Sequence, residues 1–243
     1  MAHPPTKITK PFFTLETLHS QPLVLYCEQP DRIPTEDFRA LMSLLPEALQ
    51  QRILRFHRWQ DAQASLIGRL LLLEGFLRME GSPMPSLHDL QYTSYGRPYL
   101  AEGPHFNISH SETMVVCALN HSHPLGIDVE FSGPLKLDDF SAFMTPAERE
   151  TITNSQDSQL AFYTWWTKKE ACVKADGMGL SIPIEEIVLK DNRAQVSGKD
   201  SYHLYPVALT EQYIAHMATP QVLAQAPSPV AISIESLLQH AMA

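Results

Sequence analysis

Two carboxylates, Asp128 and Glu130, stand two residues apart in the run Leu125-Gly126-Ile127-Asp128-Val129-Glu130. The run alternates, so as a strand it turns Leu125, Ile127 and Val129 one way and both acids the other. Like charges that close repel, and a cation between them relieves the repulsion. Oxygen-only ligands suit Mg²⁺, which keeps several waters and commonly completes its shell with substrate phosphates. Taken alone, a strand with two acids reads first as a solvent-facing edge. Glu170 becomes a third ligand if its own segment, Trp165-Trp166-Thr167-Lys168-Lys169-Glu170-Ala171-Cys172-Val173-Lys174, packs beside that strand. This stretch has no Pro or Gly and is rich in helix formers, which predicts a helix. Glu170 and Lys174 then share a face. By itself that is an ordinary surface pair, but the two tryptophans and the apolar Cys172 and Val173 indicate a packed helix, closed by Gly177 and Gly179. An acid and a base half-buried there need partners from elsewhere in the chain.

Ser109-His110-Ser111 invites a nucleophile-and-base reading, but no Gly-x-Ser-x-Gly elbow surrounds it and no acid is placed to orient the imidazole. Phosphate binding by hydroxyl, imidazole and backbone N–H groups is at least as good a reading, and a structural histidine a third. His121-Ser122-His123, followed by a proline, reads as a turn. There is no P-loop and no Gly-x-Gly-x-x-Gly, so ordinary NTPase and dinucleotide folds have no support. Arg52, Arg55 and Arg58 ride one predicted helix, as a solvated face or as a phosphate grip.

The elements that must position these groups follow from periodicity. Leu23–Cys27 is β-prone; Pro34–Leu45, with Thr35 as cap, and Pro46–Arg58, with Leu49, Ile53 and Phe56 at helical spacing, read as helices. Ala64, Ile67, Leu71, Leu72 and Phe76 make Asp61–Met79 the core helix of the first half, ended by Gly81–Pro85. Leu90–Thr93 is strand-like and Ser94–Leu100 a turn. His105–Ser111 reads as a loop or edge that feeds a buried strand at Met114–Leu119. Phe140–Thr151 and Gln159–Lys174 read as helices, with Thr145-Pro146-Ala147-Glu148 as a helix start. Ile187–Leu189, Ser201–Pro206 and Tyr213–Ala218 are candidate strands, and Ile234–His240 a short helix after a Pro/Ala connector.

With 243 residues, 44% hydrophobic and 19% charged, the chain has material for one large domain or two small ones. A net charge of -9 argues against a general nucleic-acid surface but leaves room for a local basic pocket. Cys27, Cys117 and Cys172 are widely spaced and form no Cys-x-x-Cys pair, which fits a reducing compartment. No signal-peptide pattern is present and the longest apolar run is far too short to span a bilayer, so a soluble cytoplasmic protein without membrane contact is expected.

The order Gly96-Arg97-Pro98, Phe106-Asn107-Ile108-Ser109-His110-Ser111, Gly126-Ile127-Asp128-Val129-Glu130 and Trp166-Thr167-Lys168-Lys169-Glu170-Ala171-Cys172-Val173-Lys174 resembles the 4′-phosphopantetheinyl transferases, in their long, single-chain, surfactin-synthetase-activating form. Each block is weak; four in order are specific, and the resemblance spans roughly residues 40 to 190. It implies an α+β fold of two similar halves related by a pseudo-two-fold axis, each a small antiparallel sheet packed on a long helix, with halves 1–122 and 123–243 and the active site between them. It implies transfer of the 4′-phosphopantetheine arm of coenzyme A to a serine hydroxyl of an acyl or peptidyl carrier protein, releasing 3′,5′-ADP, by an enzyme that has no need to dimerise.

By position, the resemblance makes Asp128, Glu130 and Glu170 the Mg²⁺ ligands. Ser109, His110, Arg52, Arg97, Lys169 and Lys174 become coenzyme A contacts, with Arg97 where the family usually has Lys. Glu170, or Glu148 through a water, is the general base, and Lys174 assists the leaving phosphate. Leu49 departs from a second basic residue seen in some members. A Mg²⁺-dependent nucleotide-pyrophosphate hydrolase and a non-catalytic carrier-binding protein are the alternatives. Carrier docking is expected on an apolar surface around Phe143, Met144, Met178 and Leu180.

Overall fold

The computed structural model describes residues 21–79, 85–179, 182–196 and 201–242. Leu180 and the break at 81–84 lie outside the described residues. In chain order the elements are β1 (Leu23–Glu28), α1 (Thr35–Ser43), α2 (Glu47–Ile53), α3 (Trp59–Arg78), β2 (Leu90–Tyr92), β3 (Pro98–Leu100), β4 (His105–Ser111), β5 (Met114–Asn120), β6 (Gly126–Phe131), α4 (Pro146–Thr153), α5 (Ser158–Asp176), β7 (Val188–Lys190), β8 (Arg193–Gln195), β9 (Ser201–Pro206), β10 (Tyr213–Thr219), β11 (Val230–Ala231) and α6 (Ile234–Met242). Strand order is β11-β1-β5-β4 in one sheet and β6-β10-β9-β8-β7 in the other, with β2 and β3 as a separate hairpin.

The fold is mixed α+β, with sheets and helices in each half. In the first, α3 buries Leu66, Ile67, Leu70 and Leu71 against β1 and β5. In the second, α5 lies on β6 and β10. The two sheets meet through a shared apolar layer: Val24, Met114, Val116 and Ala118 face Leu125, Ile127, Val129, Ala215 and Met217. The alternation of β6 thus sends its apolar residues into this layer and its acids toward α5. His216 of β10 locks the other side of α5, its Nδ1 2.8 Å from Thr167 Oγ1. Burial, with Lys168 nearby, holds that imidazole down at about 4, so it is neutral at pH 7.

Several expectations need amendment. The helix expected from Pro46 to Arg58 stops at Ile53, and Leu54 to Arg58 form a link before α3. Arg55 and Arg58 are therefore not on the element that carries Arg52, and Phe56 is 47% exposed. Thr35 starts α1 without a side-chain cap bond. The helix expected over Phe140–Thr151 is divided into a 3₁₀ turn, Leu137–Phe143, and α4, because Thr145 caps α4 in a reciprocal box with Glu148 and Pro146 takes the first helical position. His105–Ser111 is a full strand, paired along its length with β5. The first sheet is not wholly antiparallel, since β11 runs parallel to β1. That pairing also amends the division at 122/123: β11 and α6 return to the first half, where Ile232, Ile234 and Leu237 join its core.

Gly126 permits the closest approach between helix and sheet. A Cβ there would lie 2.1 Å from the Ala171 carbonyl oxygen and 2.3 Å from the Ala175 nitrogen, both backbone atoms that cannot rotate away. Gly126→Ala is accordingly expected to lift β6 from α5 and lower unfolding stability by about 2–3 kcal/mol, measured by urea denaturation; an unchanged midpoint would show that β6 does not press on the helix.

Candidate active site

α5 is a well-terminated helix. Asp157 caps its N-terminus by accepting from the Leu160 N–H, and Gly177, at φ 86°, closes its C-terminus in the left-handed conformation. Its Glu170 and Lys174 look onto β6. Lys174 Nζ donates to Asp128 Oδ1 at 2.6 Å and to Ser109 Oγ at 2.8 Å, and Ser109 Oγ donates to Asp128 Oδ1 at 3.0 Å. Glu130 accepts from Ser111 Oγ at 2.8 Å and from Trp166 Nε1 at 3.3 Å. The Ile127 N–H donates to Asn107 Oδ1 and the Phe131 N–H to Ser111 Oγ. Asn107, Ser109 and Ser111, every second residue of β4, thus stitch β4 to β6 by side chains where the ladder of backbone bonds is absent.

Three carboxylates from two elements now share one neighbourhood. Burial and the charge of Asp128 push the Glu130 carboxyl up; burial, then Asp128, does the same to Glu170. Asp128 is 3% exposed, and its Oδ2 is buried with no hydrogen-bond partner. Raised carboxyls around an orphaned carboxylate oxygen are what a divalent cation would relieve. Among the described residues no three such side chains converge closely enough to ligate an ion as they stand. Lys174 occupies Asp128 Oδ1 and Ser111 with Trp166 holds Glu130. These are oxygen-only donors, and Mg²⁺ completes its shell with water and substrate oxygens, so the chemistry of the donor set fits it.

The opposite face of β4 is cationic. His110 points toward α3, and burial, with Lys174 and Arg69 nearby, holds its imidazole below the usual range. Arg69 of α3 donates to the Ser65 carbonyl at 3.1 Å. Arg52 lies 4.2 Å over the Tyr92 ring, and both Arg52 and Tyr92 act electrostatically on Arg69. One strand therefore carries Ser109 into the acid cluster and His110 toward Arg69 and Asp61 of α3.

Family profiles agree with this geometry. One described as the 4′-phosphopantetheinyl transferase superfamily matches residues 124–218, and one described as the N-terminal part of a 4′-phosphopantetheinyl transferase matches residues 32–122. The 4′-phosphopantetheinyl transferase gsp of Aneurinibacillus migulanus is 31% identical over 78% of this chain and 82% of its own. Sfp of Bacillus subtilis strain 168 is 29% identical over 73% of this chain and 81% of its own. The chain belongs to the 4′-phosphopantetheinyl transferases.

In this transferase two residues expected at the site are placed elsewhere. Lys169 is fully buried; its Nζ is 2.6 Å from Glu148 Oε1, donates to the Ile184 carbonyl at 3.0 Å and lies 4.9 Å from the Trp165 ring centre. Glu148 Oε2 accepts from the Thr145 N–H and hydroxyl. Burial pushes the Glu148 carboxyl up, but the Lys169 ammonium and the Thr145 N–H outweigh it and leave it below the usual range. The geometry supports neither Glu148 as base nor Lys169 as a phosphate contact, because both are spent on holding α4 to α5. Arg97 also has a structural role, since it donates to the Ala175 and Leu125 carbonyls at 3.1 and 3.3 Å and so clamps the end of α5 to the start of β6. Arg69 is the site residue that sequence reasoning passed over. Its signal was an arginine inside Ile67-Gly68-Arg69-Leu70-Leu71, on the core helix of the first half.

Glu148→Ala would strand a buried ammonium, so it is expected to cost about 3–5 kcal/mol of stability in chemical denaturation while the KM for coenzyme A stays unchanged. A normal unfolding midpoint with collapsed kcat would instead return Glu148 to the catalytic apparatus.

Proposed function

We propose that this transferase joins the serine Oγ of an apo carrier protein to the phosphorus of the 4′-phosphopantetheine arm of coenzyme A, breaking the pyrophosphate P–O bond and releasing 3′,5′-ADP. The observation that carries this reading is the Lys174–Asp128–Ser109 contact at the seam, with Glu130 and Glu170 beside it. Asp128, Glu130 and Glu170 would hold Mg²⁺, which when bound neutralises pyrophosphate charge. Glu170 accepts the serine proton, and among the described residues no side-chain hydrogen bond holds its carboxylate. Lys174 supplies positive charge where the leaving 3′,5′-ADP gathers negative charge. Arg52, Arg69, His110 and Ser109 grip the phosphates, and Arg97 closes the cleft at its nucleotide end. Such a transfer rests on positioning and electrostatics and needs no covalent enzyme intermediate.

The units are residues 1–122 and 123–243, the second lending its last strand and helix to the first. A pseudo-two-fold relation is supported by α3 on its sheet and α5 on the other. Among the described residues no helix is long and apolar enough to cross a membrane.

Mass spectrometry of apo-carriers incubated with enzyme, Mg²⁺ and coenzyme A is expected to show the added phosphopantetheine arm, and free phosphopantetheine without carrier modification would establish a hydrolase instead. In the same assay Asp128→Ala is expected to abolish transfer with the fold retained. Arg52→Ala and Arg69→Ala are expected to raise the KM for coenzyme A roughly tenfold or more, the scale of a charge-assisted phosphate contact, with a smaller effect on kcat. An unchanged KM in both would place the phosphates elsewhere.

A further inference from the structure

The link between α2 and α3, with the first residue of α3, exposes three large apolar side chains at once: Leu54 is 64% exposed, Phe56 47% and Trp59 37%. All three line a concavity of about 280 Å³ that includes Arg32 and His57 and no acidic residue. Arg55 and Arg58 flank it in the same link, and among the described residues none of Arg32, Arg55 and Arg58 is ion-paired with an acid. Trp59 and Gln63 also line a second cavity, of about 400 Å³, whose other walls carry Arg58, His110 and Ser111 together with the acids Asp61 and Glu112. Ser111 holds Glu130, so the exposed patch is continuous with the reacting centre.

Of the apolar surface expected around Phe143 and Met144, Met144 is only 8% exposed, while Phe143 is 40% exposed and meets the Trp166 ring edge-on, 5.8 Å between centres. A solvent-facing cluster of Leu, Phe and Trp ringed by unpaired arginines matches an acidic protein segment that presents apolar side chains of its own.

We propose that the Leu54–Trp59 surface docks the protein substrate, through an acidic, amphipathic segment next to the serine that is modified. The inference rests on the transfer reading above. Arginines steer the encounter and the aromatic and aliphatic groups hold it, so the chain's net negative charge is overridden locally where the partner lands.

The test compares the wild-type enzyme with Arg55→Glu and Leu54→Ser, both at exposed positions outside the coenzyme A and acid clusters. Steady-state transfer to one purified apo-carrier is measured at low and at physiological ionic strength, with calorimetric coenzyme A binding and thermal melting as controls. Each variant is expected to raise the carrier KM about tenfold while the coenzyme A dissociation constant and the melting temperature stay at wild-type values. Wild-type kcat/KM for the carrier is expected to fall with added salt, and less so in Arg55→Glu. Wild-type carrier KM in both variants, or a salt profile that is flat or rising, overturns the docking assignment while the transfer reading stands. A wild-type enzyme that modifies no apo-carrier takes both down. A monomer–dimer equilibrium in sedimentation that Leu54→Ser abolishes would make the surface a contact between two copies of this chain and would also overturn it.

Discussion

The backbone contact between β6 and α5 at Gly126 is the constraint on which the site depends. With no Cβ at that position the strand lies directly on the helix, beside the Ala171 carbonyl and the Ala175 nitrogen. Only from there do Asp128 and Glu130, alternating along β6, fall against Glu170 and Lys174, one turn apart on α5. Arg97 clamps the same place from the first half by reaching the Leu125 and Ala175 carbonyls, and Gly177 ends the helix just beyond. Sterics therefore bring three acids together, and burial first, then the charge of Asp128, raises the Glu130 and Glu170 carboxyls.

β4 turns that local contact into a site with two ends. Its alternation sends Asn107, Ser109 and Ser111 across the seam to β6 and sends His110 to the opposite side, toward Arg69. The ion pair of Lys174 with the nearly buried Asp128 is poor evidence for stability, since desolvating both charges costs about as much as their attraction returns. In the proposed mechanism it keeps a cation and a carboxylate oriented beside the phosphates. The pair of Lys169, earlier on α5, with Glu148 of α4 serves the core of the second half instead.

How far the sequence could be read depended on how local each signal was. α3 and α5 were legible because long apolar periodicity or a compact run of helix formers defines them. The alternation of β6 was legible, and with it the side on which Asp128 and Glu130 stand. The link at Leu54 to Arg58 was not, because Leu49, Ile53 and Phe56 keep helical spacing through a chain reversal that leaves Phe56 in solvent. β4 looked like a loop because its polar positions serve the seam. The return of β11 and α6 to the first half has no local signature: β11 is two residues long and finds its partner some two hundred residues back. The four ordered blocks identified the family, but they could not separate residues that touch substrate from residues that hold those in place.

The central claim is that the acid cluster on β6 and α5 and the cationic side of β4 form one site for a divalent cation and the coenzyme A pyrophosphate together. The most direct measurement is ³¹P relaxation of coenzyme A with Mn²⁺ in place of Mg²⁺, for the wild-type protein and for Asp128→Asn. The account predicts strong paramagnetic broadening of the pyrophosphate resonances in the wild type, beyond that of free Mn²⁺ and coenzyme A, and its loss in the variant. Equal broadening in both proteins would contradict it.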